Sequence, residues 1–184
     1  MKLVIGLGNP ESRFDNTRHN IGFSMLDTFA LMHDLKFKEQ SRFKAFVAEY
    51  HTTEKVLIVK PLTYYNDSGL AVQALADFYK VNSEDILIVH DDLALPLGSV
   101  RTRIGGSSAG NNGVKSITAS VGEDTARLRV GIWSERRNRI GDVEFVLGKF
   151  SSEESEILKD LTPRVHSLIE SFITGNFELT THKN

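Results

Sequence analysis

The chain has 184 residues, 40% of them hydrophobic and 25% charged, with a net charge of −2 and no cysteine. That length and composition give one domain with an ordinary core and exclude a disordered chain, while the missing cysteines exclude disulfide scaffolds, zinc ribbons, iron–sulfur sites and thiol nucleophiles. The longest aliphatic runs, Val56-Leu57-Ile58-Val59 and Ile86-Leu87-Ile88-Val89, fall far short of the roughly 20 residues of a membrane span, and Met1 to Gly6 reads as a first strand rather than a signal peptide, so a cytoplasmic protein is expected.

Leu3 to Leu7 is an apolar strand stopped by Gly8-Asn9-Pro10, and Ile21, Met25, Leu26, Phe29 and Met32 then recur at helical spacing. Lys44 to His51 alternates as a strand and Lys55 to Lys60 forms another; Leu70 to Tyr79 has helical periodicity behind Asn66-Asp67-Ser68, with Asn66 or Ser68 as the cap. Asp85 to His90 is a strand of the buried type, followed by a strand from Ser99 to Ile104. The Gly-, Ser- and Asn-rich stretch 105–113, a flexible linker or a pocket wall, leads into a helix from about Val114 to Ser120, and Arg127 to Ile132 is the last strand. Residues 134–142, polar and arginine-rich, read as a mobile loop, and Ser151-Ser152-Glu153-Glu154 opens a C-terminal helix over about 151–174 with a capping box. Strands alternating with helices predict a single α/β domain over 1–184, with a twisted, mostly parallel or mixed central sheet flanked by helices. Ligands of such sheets sit beyond the carboxyl ends of the strands.

The small net charge conceals an asymmetry. Residues 101–140 hold Arg101, Arg103, Lys115, Arg127, Arg129, Arg136, Arg137 and Arg139 against three acidic residues, a net +5 that leaves −7 on the remainder. A basic patch on an acidic body suits a polyanion touched on one face; a solvated arginine-rich loop is the plainer alternative.

Gly6-Leu7-Gly8-Asn9-Pro10-Glu11 follows the first strand, but a dinucleotide site needs a third glycine where Glu11 stands, and Pro10 breaks the turn into a helix. A dinucleotide-dependent oxidoreductase is therefore disfavoured, and the glycines are expected to form a tight turn that presents Asn9. His19 stands at the start of the first helix, where a histidine also serves as a cap, and Asp91, in His90-Asp91-Asp92, ends an apolar strand, where an aspartate also serves in a turn. A doubly wound sheet would bring the two into one crevice, making His19 a general base oriented by Asp91. With no Cys and no Gly-x-Ser-x-Gly elbow, such a base acts on water, which fits hydrolysis of an activated ester. The six histidines lack ligand-type spacing, so no metal is assigned. Asn9, Asn66, Asn111 and Asn112 fall on loops after strands, as neutral donors and acceptors for a peptide backbone or an oxyanion.

From residue 3 to about residue 150 the chain resembles the bacterial peptidyl-tRNA hydrolases. The resemblance is carried by Gly6-Leu7-Gly8-Asn9-Pro10, Thr17-Arg18-His19-Asn20-Ile21-Gly22-Phe23, Lys60-Pro61-Leu62-Thr63-Tyr64, Asn66-Asp67-Ser68-Gly69, His90-Asp91-Asp92-Leu93, Asn112-Gly113-Val114-Lys115 and Arg127-Leu128-Arg129-Val130-Gly131-Ile132. It implies a monomeric α/β enzyme without cofactor or metal that cleaves the ester between peptide and tRNA and recycles tRNA from stalled translation. By position, His19 is implied as the base and Asp91 as its partner. Asn9, Asn66 and Asn112 are implied as contacts to the peptidyl part and the scissile carbonyl, and Arg101, Arg103 and Arg129 as contacts to tRNA phosphates. The chain departs from the family pattern at Asn111, where a histidine is usual, at Tyr65, where a methionine is usual, and at Phe14, where a tyrosine is usual. Asn111 keeps hydrogen-bonding capacity without titrating, Tyr65 is expected to narrow the peptide site as a rigid wall, and Phe14 loses a hydroxyl. The alternative is an RNA-binding relative of the same fold that has lost turnover.

Overall fold

The computed structural model describes residues 1–183. β1 (Lys2–Gly6) runs parallel between β4 (Lys55–Pro61) and β5 (Ile86–Pro96), with Leu3 opposite Leu57 on one side and Ile86 on the other. Central parallel strands are covered on both faces, which is why these segments are unbroken apolar runs; every residue of Val56–Val59 and Ile86–Val89 is fully buried. β7 (Ala126–Trp133) continues the parallel set beside β5. The edges are antiparallel: β3 (Ala45–His51) and the short β2 (Lys38–Gln40) beyond β4, and β6 (Ser99–Ile104) and the short β8 (Thr181–Lys183) beyond β7. The order is β2-β3-β4-β1-β5-β7-β6-β8, a mixed eight-stranded sheet whose parallel part is its four-stranded centre.

Alternation along the central strands divides the core in two. Val4, Val56, Ile58, Leu87 and Val89 meet Met25, Leu26 and Phe29 of α1 (Ile21–Met32), and Leu161, Val165, Leu168 and Ile169 of α5 (Ser152–Ile173). Leu3, Ile5, Leu57, Val59, Ile86 and Ile88 cluster instead with Val72 and Leu75 of α2 (Ser68–Tyr79) and with Val114 and Ile117 of α3 (Asn112–Val121). Among the described residues no helix is long and apolar enough to cross a membrane.

The start of α5 is a capping box: Ser151 Oγ accepts from the Glu154 N–H, and the Glu154 carboxylate accepts from the Ser151 N–H. One expectation changes, and short elements appear that the sequence did not show. α2 is capped by Asp67 without a side-chain hydrogen bond, not by Asn66 or Ser68. The 134–142 segment contains a 3-10 turn, Glu135–Arg139, held by Arg137 on Asp142 and on the Leu93 carbonyl. It leads into a short helix, α4 (Asp142–Leu147), too brief to show a period in the sequence.

Candidate active site

The parallel centre sends the ends of β1, β4 and β5 to one edge, and α1 starts against it. A Cβ on Gly6 would lie 2.6 Å from the Gly22 carbonyl oxygen, and one on Gly22 would lie 2.4 Å from the Val89 oxygen. These glycines therefore serve close approach of the first turn of α1 to β1 and β5. No turn forms at residues 7–9 and neither Gly6 nor Gly8 has a positive φ; instead of the expected glycine turn, Gly6 packs on the Gly22 backbone and Gly8 on the Phe23 ring. Leu7 accepts from the Phe23 N–H and donates to Val89, which locks the junction.

That approach carries His19, in the 3-10 turn Arg18–Asn20, onto Asp91 of β5. His19 Nδ1 is 2.9 Å from Asp91 Oδ2, and its Nε2 has no partner among the described residues. The His19 side chain is 18% exposed and that of Asp91 4%. The other carboxylate oxygen, Asp91 Oδ1, accepts from the Tyr65 hydroxyl at 2.5 Å. The Tyr65 ring lies flat on the imidazole, 3.5 Å between centroids at 11°. Burial, and then the negative charge of Asp91, push the Tyr65 phenol well above its usual range, so it remains a donor. His90 is buried beside the dyad with Nδ1 2.7 Å from the Asp91 carbonyl oxygen, and burial pushes its pKa down.

The asparagines divide into held and free groups. The Asn9 N–H donates to the Asn20 side-chain oxygen, the Asn20 amide donates back to the Asn9 carbonyl, and Asn9 Oδ1 accepts from the Tyr65 N–H at 2.8 Å. That last bond fixes the Asn9 amide and leaves Nδ2 as a donor without an internal partner among the described residues. Asn111 is engaged at both ends: Oδ1 caps α3 on the Val114 N–H, and Nδ2 donates to the Tyr65 hydroxyl at 2.8 Å. Asn66 and Asn112 are exposed, with no side-chain hydrogen bond among the described residues. Phe14 lies half-buried in the 3-10 turn Ser12–Phe14, under the Arg13 guanidinium.

Tyr65 is not the wall predicted for it. It is 2% exposed and sits behind His19, because the 3-10 turn after β4 drives it into the core next to Gly113, where a Cβ would meet its ring at 2.4 Å. Asn20 and Arg18, neither singled out as a candidate, also shape the site: Asn20 holds Asn9, and Arg18 ties the His19 turn to the Phe145 and Lys149 carbonyls. Both lie inside the Thr17–Phe23 string that carried the resemblance.

Pairing of β6 with β7 sets Arg101 opposite Arg129 and Arg103 opposite Arg127, so the four share one face of the sheet. They differ in what they can reach. Arg103 is exposed against Gly106, and Arg101 is half-buried with Nε on the Thr181 hydroxyl. Arg129, the third candidate for a phosphate contact, gives its Nε to Asp92 at 2.5 Å. Arg127 is buried and holds the glycine-rich segment by the Ser107 carbonyl; burial, then the charges of Arg103 and Arg129, lower its pKa. A separate open groove beside α3 is lined by Gly106, Ser108, Asn112, Lys115 and Glu123. Among the described residues, no group of three or more His, Asp and Glu is arranged to hold a metal.

Comparison with known proteins identifies relatives of the whole chain. The sequence model described as "Peptidyl-tRNA hydrolase" matches residues 3–184. A protein named peptidyl-tRNA hydrolase from Chlorobium luteolum is 48% identical over 186 residues, covering 97% of this chain and 94% of its own. One from Clostridium botulinum is 40% identical over 185 residues, covering 100% and 95%. The crystal structure of peptidyl-tRNA hydrolase from Acinetobacter baumannii superposes with a TM-score of 0.87 at 32% identity, covering 95% of this chain and 89% of that one.

Proposed function

The chain belongs to the peptidyl-tRNA hydrolase family, and from that membership and the site geometry we propose that it hydrolyses the ester joining a peptide to the 3′ end of tRNA, returning the tRNA to translation. The observation that carries the reading is the His19–Asp91 contact at 2.9 Å with Nε2 left unpaired. An imidazole whose Nδ1–H is held by a buried carboxylate presents Nε2 as a proton acceptor. His19 takes a proton from water as the water oxygen attacks the ester carbonyl, and the resulting imidazolium returns that proton to the departing ribose oxygen. The products are the peptide's carboxylic acid, which ionises by releasing its proton to solvent, and the free tRNA hydroxyl. Amide donors of Asn9, Asn66 and Asn112 hold the peptide and the developing oxyanion, Phe14 forms the rim, and Arg101 and Arg103 face the phosphates. In this reading the enzyme acts as a monomer and without a metal, as the family resemblance implies.

Single-turnover hydrolysis of an N-acylated aminoacyl-tRNA tests this. The wild type is expected to cleave and His19→Ala to lose cleavage while retaining tRNA binding. Tight binding by the wild type without cleavage would establish the alternative, an RNA-binding relative without turnover.

A further inference from the structure

We propose that Tyr65 and Asn111 are positioning residues that form a one-way chain of hydrogen bonds from the first turn of α3 to Asp91, fixing the carboxylate that holds the His19 Nδ1–H and leaves Nε2 to accept a proton. Its kinetic consequences rest on the hydrolase reading; the chain of bonds itself does not.

The direction of each bond follows from the one before it. The Val114 N–H can only donate, so the Asn111 atom it meets at 3.0 Å is the oxygen. This orients the amide, and Asn111 Nδ2 donates to the Tyr65 hydroxyl oxygen at 2.8 Å. The hydroxyl has one proton, and an ionised carboxylate only accepts, so that proton goes to Asp91 Oδ1 at 2.5 Å. Asp91 Oδ2 remains for His19 Nδ1 at 2.9 Å, where the ring must be the donor. Nε2 is thereby left with its lone pair.

Tyr65 is built for this position. Its ring covers one face of the imidazole, its N–H sets the amide of Asn9, and Gly113 leaves it room that any side chain would fill. The hydroxyl also disperses part of the Asp91 charge. Without it, the carboxylate attracts a protonated His19 more strongly, and the base is silenced to a higher pH.

Two conservative variants separate this role from packing. Tyr65→Phe keeps the ring stack and removes the hydroxyl; Asn111→Ser keeps an acceptor for the Val114 N–H but cannot reach the phenol. Steady-state kinetics on N-acylated aminoacyl-tRNA, the pH–rate profile, the thermal midpoint and the ¹⁵N shifts of His19 are measured for each variant and for the pair together. In the wild type, Nδ1 is expected to be protonated and Nε2 not. Tyr65→Phe is expected to lower kcat roughly 5–20-fold with little change in KM and to move the acid limb upward by roughly 0.5–1 pH unit. Asn111→Ser is expected to act in the same direction but less, and its effect to shrink in the Tyr65→Phe background, where only the longer contact of Asn111 Nδ2 to Asp91 Oδ1 at 3.4 Å remains. An unchanged acid limb and kcat in a folded Tyr65→Phe protein would overturn the proposal. So would an Asn111→Ser effect confined to KM and equal in both backgrounds, which would make Asn111 a substrate ligand. A wild type that does not cleave refutes the hydrolase reading alone, since the ¹⁵N titration of His19 in wild type and Tyr65→Phe still decides the hydrogen-bond chain: a raised protonation midpoint supports it, and an unchanged one sinks it.

Discussion

Arg18 and Glu154, 136 positions apart, close a buried ion pair at 2.6 Å that fastens the turn bearing His19 to the first turn of α5. The same carboxylate accepts from the Ser151 N–H and the Ser134 hydroxyl, so the dyad, the start of the last helix and the segment after β7 share one anchor. Burial pushes the Glu154 carboxyl up, but the hydrogen bonds from Arg18 and Ser151 outweigh it and hold the group below its ordinary value. Removing one partner strands the other charge, so Arg18→Ala is expected to destabilise the fold by about 3–5 kcal/mol in denaturant unfolding. A loss below about 1 kcal/mol, the range of an exposed pair, would show the interaction to be dispensable.

Replacing the dyad distinguishes its two members less than strand position alone suggests. His19→Ala is expected to lower turnover by about 10²–10⁴ while the protein remains folded. Considered as a mere orienting group, Asp91 would rank below it. The Tyr65 hydroxyl changes that ranking: in Asp91→Asn it draws the introduced carbonyl oxygen to itself and turns the amide N–H₂ toward His19 Nδ1, favouring the wrong tautomer. A loss comparable to that of His19→Ala is therefore expected in single-turnover assays. Near-wild-type turnover in Asp91→Asn would contradict it.

The basic face separates phosphate ligands from structural arginines. Arg101→Ala and Arg103→Ala are each expected to weaken tRNA binding and to flatten the plot of log affinity against log salt by roughly 0.7–0.9 for each phosphate left without its cation. Arg129→Ala, which frees buried Asp92 from its partner, is expected to lower the denaturation midpoint instead. Equal salt slopes in Arg103→Ala and wild type would remove Arg103 from the interface.

Acid sensitivity has a defined origin on the α1–α5 side. His166 is buried at the edge of the Phe29 ring, with Nε2 2.9 Å from the Thr28 hydroxyl, and burial, reinforced by the charge of His33, lowers its pKa. Its folded pKa lies below the unfolded value, so the unfolded chain binds the proton first. The contribution is complete above about pH 6.5 and is lost as pH falls below it. His90 acts in the same sense, and Glu154 adds to the loss near the ordinary carboxylate range. His166→Gln is expected to reduce the drop in denaturant midpoint between about pH 7 and about pH 5; an unchanged drop would assign it to other groups.

What the sequence determined by itself is what local pattern and backbone chemistry dictate. Apolar runs at Val56–Val59 and Ile86–Val89 could only be covered strands, the Ser151–Glu154 capping box named the start of α5, and Asp91 at a strand end with His19 at the start of the first helix pointed to an esterolytic base. The short elements β2, β8 and α4 stayed hidden because so few residues show no period. Side-chain partners were decided only in three dimensions. Tyr65 looked like a wall from standing where the family usually has a methionine, yet the missing Cβ of Gly113 and the proximity of Asp91 make it the buried support of the base. Arg129 looked as free as Arg103 until β5 and β7 paired and set it against Asp92. Sequence carries the period of each strand and helix, but which charges neutralise one another depends on distances that exist only after the strands have found their neighbours.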